Sequence, residues 1–152
     1  MLLAAAMPLA QAADKCNALV MSGGGSNGAW EVGVIWGLVH NGNPSDFEWD
    51  YITGISAGSI NTAGLVGWAV GDELNATEWL SDTMNDLHNS DIWVEYPEGL
   101  EKSVFGRPSL LDDAPALEFL KGILAQPHFD GFKRPFTIAT NNVETGEYTL
   151  FN

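Results

Sequence analysis

Positive charge is scarce in this chain. Six Lys and Arg stand against 20 Asp and Glu, for a formal net charge of −14. Such a surface repels phosphate backbones and anionic headgroups, which excludes nucleic acid as an electrostatically held partner but not neutral or zwitterionic lipid. Cysteine is almost missing. Cys16 alone permits no internal disulfide and reads either as half of a bond to a partner elsewhere or as a small apolar residue entering the first strand. The histidines His40, His88 and His128 share no motif, and there is no H-E-x-x-H, so no metal site is expected. Without a Gly-Lys-Ser/Thr the phosphate loop of nucleotide hydrolases is excluded. Long apolar runs are lacking too. MLLAAAMPLAQA at 1–12 is too short to span a bilayer, and it ends in Ala10-Gln11-Ala12, an A-x-A cleavage pattern. It is expected to be a signal peptide, although no basic residue precedes Lys15, with residues 13–152 secreted or lumenal. Asn75-Ala76-Thr77 is then a glycosylation sequon on Asn75.

What is present suits a globular domain: 152 residues, 45% hydrophobic and 17% charged. Asn17–Ser22 reads as a buried strand that stops at three glycines. Val32, Ile35, Trp36 and Val39 fall at helical spacing between Ala29 and His40, and Asn41-Gly42-Asn43-Pro44 ends that helix. Tyr51–Gly54 is a second strand. A second helix runs from Ser56 to about Val70, with Ile60, Ala63, Gly64, Gly67 and Trp68 on one face, and a third from Asp72 to Asn89. Tyr96–Leu111 is rich in turn signals and reads as a surface loop. Asp113 reads as an N-cap, with Pro115 in the first turn of a helix to about Leu124. Pro135–Val143 and Glu147–Phe151 form a hairpin around Glu144-Thr145-Gly146. Strands alternating with helices argue for a layered α/β domain, and the chain stops at Asn152 inside an expected strand.

Two segments carry chemistry. Gly54-Ile55-Ser56-Ala57-Gly58 is a G-x-S-x-G pattern placed between a strand and a helix. There the serine occupies a sharp turn that lifts its hydroxyl from the sheet, and side chains at the flanking glycines would clash. Ser56 is therefore the candidate nucleophile. Gly23-Gly24-Gly25-Ser26-Asn27-Gly28 lies between the first strand and the first helix. Its backbone N–H groups can converge on a negative oxygen, with the helix start adding partial positive charge. Gly23, Gly24 and Gly25 are the candidate oxyanion hole. Gly23, Gly25 and Gly28 also satisfy G-x-G-x-x-G, but a dinucleotide site needs an acidic residue at the end of the second strand, and here Glu48 and Asp50 precede that strand. A Ser-His-Asp hydrolase would place several strands before its elbow, and only one strand–helix unit precedes Ser56. The tryptophans Trp36, Trp68 and Trp79 read as core, and Trp93, beside Ile92 and Val94, as a lipid-facing aromatic.

MSGGGSNGAWEVGVIWGL followed by ITGISAGSINTAG resembles the patatin-like phospholipase family, and PFTIATNNVETGEYTLFN resembles that family's later strand pair. The likeness is tight over residues 17–70, loose over 71–134, and returns over 135–152. The resemblance implies a three-layer α/β/α sandwich, incomplete at the C-terminus, that acts as a lipid acyl hydrolase. It implies a Ser–Asp dyad in which Ser56 attacks the ester, an aspartate takes its proton, and the Gly23–Gly25 amides hold the oxyanion, with no cofactor or metal. The implied partners are a lipid or acyl-ester substrate and transient contact with a lipid surface. The chain departs from the family at two places. Asn27 stands where the family usually has Arg or Lys. The family's aspartate lies in Asp-Gly-Gly or Asp-Gly-Ala after the hairpin, whereas the only Asp-Gly here, Asp130-Gly131, lies before it and reads as a turn. The partner of Ser56 is expected beyond Asn152, so residues 1–152 alone are expected to be inactive. The alternative is a non-catalytic lipid-binding or interaction protein on the same fold.

Overall fold

A computed structural model describes residues 16–152, so the expected leader lies outside the described residues. The apolar run after Asn17 forms strand β1 (Ala18–Met21), and the glycine loop leads into helix α1 (Asn27–Asn41). Strand β2 (Tyr51–Ile55) ends at Ser56, from which helix α2 (Ala57–Leu65) departs, followed by α3 (Glu73–Asn85). Beyond them lie β3 (Val94–Glu95), α4 (Leu100–Gly106), β4 (Leu111–Asp112) and α5 (Ala114–Leu124), then the hairpin strands β5 (Phe136–Asn141) and β6 (Tyr148–Phe151).

The main sheet has the order β1-β2-β5-β6, with β1, β2 and β5 parallel and β6 antiparallel to β5. Each parallel crossover moves the chain one strand in the same direction. Right-handed crossovers that never reverse direction stack their helices on a single face. The side-chain pattern agrees: Met21 and Ile52 share one core with Val32, Ile35 and Val39 of α1, Leu65 of α2 and Leu80 of α3. Val20, which points from the opposite face, is 74% exposed. The α/β class is as expected.

Helix α3 ends at Asn85 rather than Asn89, and three further local expectations need correction. Helix α2 stops at Leu65 rather than near Val70. The Trp68 N–H turns back to the Leu65 carbonyl at 3.1 Å, the carbonyls of Trp68 and Ala69 accept from the Arg134 guanidinium, and Gly67 packs so tightly on Phe129 that a Cβ would sit 2.5 Å from its ring. The stretch Tyr96–Leu111 is not all loop. Its apolar Leu100, Val104 and Phe105 belong to α4, at the tip of an excursion closed by the antiparallel pairing of β3 with β4. At the start of α5, Asp113 makes no side-chain cap, and Asp112 Oδ1 accepts the Ala114 N–H instead at 3.0 Å.

His128 lies inside an aromatic cluster, stacked on Trp68 at 4.3 Å between centroids and edge-on to Trp79 at 4.7 Å. Its Nε2 is buried without a hydrogen-bond partner. Burial therefore holds its pKa below the usual imidazole value. The folded state thus binds a proton less readily than the unfolded chain. The stability His128 lends is complete above its unfolded pKa of about 6.5 and is lost as pH falls from there through the lowered folded value. Urea unfolding followed by tryptophan fluorescence should show a midpoint that falls between pH 7 and pH 5. The His128→Phe variant should flatten that part of the profile.

Candidate functional site

Ser56 is the only non-glycine residue among those described with positive φ, at φ 54° and ψ −124°. That backbone is strained for any L-residue and is what a serine held at the tip of a strand-to-helix corner requires. The flanking glycines are fixed by contact. A Cβ on Gly54 would fall 2.1 Å from the Gly58 carbonyl oxygen, and one on Gly58 would fall 2.6 Å from that of Met21. β1, β2 and α2 thus touch at a point where no side chain fits.

The glycine loop meets this corner. A Cβ on Gly23 would stand 3.0 Å from Ser56 Cβ and 3.7 Å from its Oγ. Gly25 adopts φ 57°, a left-handed conformation that suits glycine. The loop closes on itself through Asn27 N–H to the Gly24 carbonyl at 3.1 Å and Gly28 N–H to that of Gly25 at 3.0 Å. The amides of Gly23, Gly24, Gly25 and Ser26 donate to no acceptor among the described residues, which leaves them free for an external oxygen.

A cavity of about 510 Å³ opens over Ser56. Gly25, Ser26 and Gly28 line it on one side, Ala57, Ile60 and Asn61 form its floor on α2, and Met84, Leu87, His88, Asn89, Ile92 and Trp93 complete the wall. On the side away from the loop Met84, Leu87, Ile92 and Trp93 supply apolar surface of the kind an acyl chain requires, beside the polar His88 and Asn89. Gly23 and Gly24 border a second pocket with Asn27, Trp30 and Glu31, and Gly28 belongs to both. Asn27 lies against Gly24, its Cβ 3.1 Å from where a Gly24 Cβ would stand.

The remaining candidates are spread out. Asp130 is ion-paired with Lys133, which holds its carboxyl below the usual range, and it does not line the cavity. Among the described residues no hydrogen bond reaches the Ser56 hydroxyl, and no group of three or more His, Cys, Asp or Glu comes together. His40 stacks on Trp36. His88 is exposed but borders the cavity, its Nδ1 donating to the Asp86 carbonyl at 2.8 Å. Trp93 is 41% exposed at the cavity wall. Asn75 is exposed on α3, whereas Thr77 of its sequon is buried and donates to the Glu73 carbonyl. Cys16 is exposed. No described helix is long and apolar enough to cross a membrane.

Sequence reasoning misses Asn61, a buried amide in the cavity floor bonded to the Gly28 carbonyl and to Glu31. The available signal is spacing, since Gly58, Asn61 and Leu65 fall on one buried face of α2. Residues 19–152 match a family model described as Patatin-like phospholipase. The chain matches no curated protein and no solved structure.

Proposed function

Because the chain belongs to the patatin-like phospholipase family, we propose that it hydrolyses acyl esters of lipids, with Ser56 as nucleophile. The observation that carries this reading is the meeting of the two corners, Gly23 against Ser56, beside a run of amides with no acceptor. In the reaction, Ser56 Oγ attacks the ester carbonyl while a base removes its proton. The carbonyl oxygen becomes an oxyanion held by amides of the Gly23–Gly25 loop. Collapse expels the alcohol, which takes up the proton, and water then releases the acyl group from Ser56 by the same route in reverse. The base in this reading is an aspartate, following the family's Ser–Asp dyad. The substrate's acyl chain lies along Ile60, Met84, Leu87 and Ile92, with Trp93 at the lipid surface. The net charge of −14 favours a neutral or zwitterionic surface over an anionic one. The enzyme acts outside the cell or in a lumen, after loss of residues 1–12.

A serine-reactive fluorophosphonate tests nucleophile activation without knowledge of the substrate. Incubation of the full protein should add the probe's mass to the peptide carrying Ser56 and to no other. A protein that stays unlabelled while folded would favour the non-catalytic alternative, a lipid-binding protein on the same fold.

A further inference from the structure

The glycine loop has to be held as well as built, and two side chains outside both motifs do the holding. We propose that Glu31 and Asn61 are positioning residues that clamp the loop to the nucleophile helix, a role that rests on the hydrolase reading above. Glu31 lies on α1 and Asn61 on α2, about one and a half turns beyond Ser56. Glu31 Oε1 accepts the Ser22 N–H at 2.8 Å, at the point where β1 passes into the loop. Its other oxygen, Oε2, accepts from Asn61 Nδ2 at 3.2 Å, and the same Nδ2 donates to the Gly28 carbonyl at 3.1 Å, where the loop passes into α1. The Ser22 carbonyl in turn accepts the Gly58 N–H at 3.1 Å. Both ends of the loop are thereby tied to the helix that Ser56 caps.

The chemistry fixes how Asn61 is oriented. Both atoms facing its Nδ2 are acceptors, so only the NH₂ end of the amide can point there. Oδ1 is then left buried with no partner, in a residue that is 1% exposed. An apolar residue at this place on α2 would avoid that unmatched acceptor. The amide supplies something an apolar side chain cannot, two donated bonds that span the gap between α2 and the loop. Within the loop the Gly24 and Gly25 carbonyls are bonded to the Asn27 and Gly28 N–H groups, which fix the shape of the turn, so the placement of its free amides relative to Ser56 depends on the two anchored ends. Donors that must already point at a developing oxyanion lose their effect when displaced by a fraction of an ångström to an ångström.

The test compares Asn61→Ala, Glu31→Ala, Glu31→Gln and the double alanine variant in the full protein, with a short-chain p-nitrophenyl ester as substrate. Each alanine variant is expected to lower kcat by about 10- to 100-fold. KM should change little, because ground-state binding rests on the apolar wall and not on the oxyanion donors. Glu31→Gln keeps an acceptor for Ser22 N–H and should recover part of the loss. The double variant should lose little more than the worse single, since either change opens the same clamp. Unchanged kcat, a loss that falls wholly on KM, or multiplicative losses in the double variant would overturn the clamp. Glu31→Ala, at a half-buried position, serves where Asn61→Ala fails to fold. The wild type separates this idea from the one beneath it. Fluorophosphonate labelling at Ser56 with unimpaired clamp variants rejects the clamp alone, whereas no labelling of the folded wild type rejects the hydrolase reading.

Discussion

Ser56→Ala is expected to abolish ester hydrolysis in the full protein, by about 10⁴-fold or more in kcat, while leaving the fold intact. The hydroxyl makes no hydrogen bond among the described residues, so its removal breaks no contact that stabilises the corner. The companion variant Ser56→Gly separates catalysis from structure. At φ 54° and ψ −124° any side chain is strained, and relief of that strain, less the extra chain entropy of glycine, should raise stability by about 1 kcal/mol. On the proposed reading, serine at this position gives up stability for the use of its hydroxyl. The pair of results, activity lost in both variants and stability gained in one, distinguishes an elbow nucleophile from a serine that merely caps α2. Turnover of a short-chain ester by Ser56→Ala at the wild-type rate would reject Ser56. A Ser56→Gly variant less stable than wild type in urea would show that the corner is not under strain.

The parts of the molecule that local chemistry determines can be read directly from the chain. β1 and β2 are short apolar runs ended by glycines. The two corners follow from Gly23–Gly28 and Gly54–Gly58, where a Cβ has no room or the backbone turns left-handed. The hairpin after Phe136 follows from Glu144-Thr145-Gly146, with Gly146 at φ 72°. Other features depend on residues far apart in sequence, and no local pattern contains them. The turn that follows the early end of α2 is held by Arg134, more than sixty positions later, whose donors take the carbonyls of Trp68 and Ala69. Asn61 carries no motif because its partners are a carbonyl and a carboxylate across the loop. α4 is seven residues long, too short for its periodicity to outweigh the turn residues around it. His88 shares no motif with the other histidines, yet folding places it on the rim of the Ser56 cavity.

Arg134 is the site of the second large effect, and it concerns stability. Its side chain is 1% exposed, facing that of Glu73 at 3%. Nη1 donates to Glu73 Oε1 at 2.7 Å and to the Trp49 carbonyl at 2.9 Å, Nε to the Trp68 carbonyl at 2.9 Å, and Nη2 to that of Ala69 at 2.5 Å. Glu73 is held in turn by the Gly71 N–H at 2.7 Å and, more loosely, the Trp49 N–H at 3.4 Å. One guanidinium therefore joins the approach to β2, the exit from α2 and the start of α3. Arg134→Met is expected to cost about 3–5 kcal/mol, because it strands the Glu73 charge in the interior along with the carbonyls of Trp49 and Trp68. At about 2–4 °C per kcal/mol, that would lower Tm by roughly 10 °C. Arg134→Lys should recover only part of the loss, since an ammonium cannot reproduce a planar fork aimed at four acceptors. In the double variant Arg134→Met/Glu73→Leu no charge is buried without a partner, so it should be more stable than Arg134→Met alone, yet less stable than wild type, because the carbonyls of Trp49 and Trp68 remain unpaired, whereas that of Ala69 keeps the Asp72 N–H. Urea unfolding of the four proteins decides the matter. A double variant no better than the single would mean that the carbonyls, not the stranded carboxylate, carry the energy of this knot.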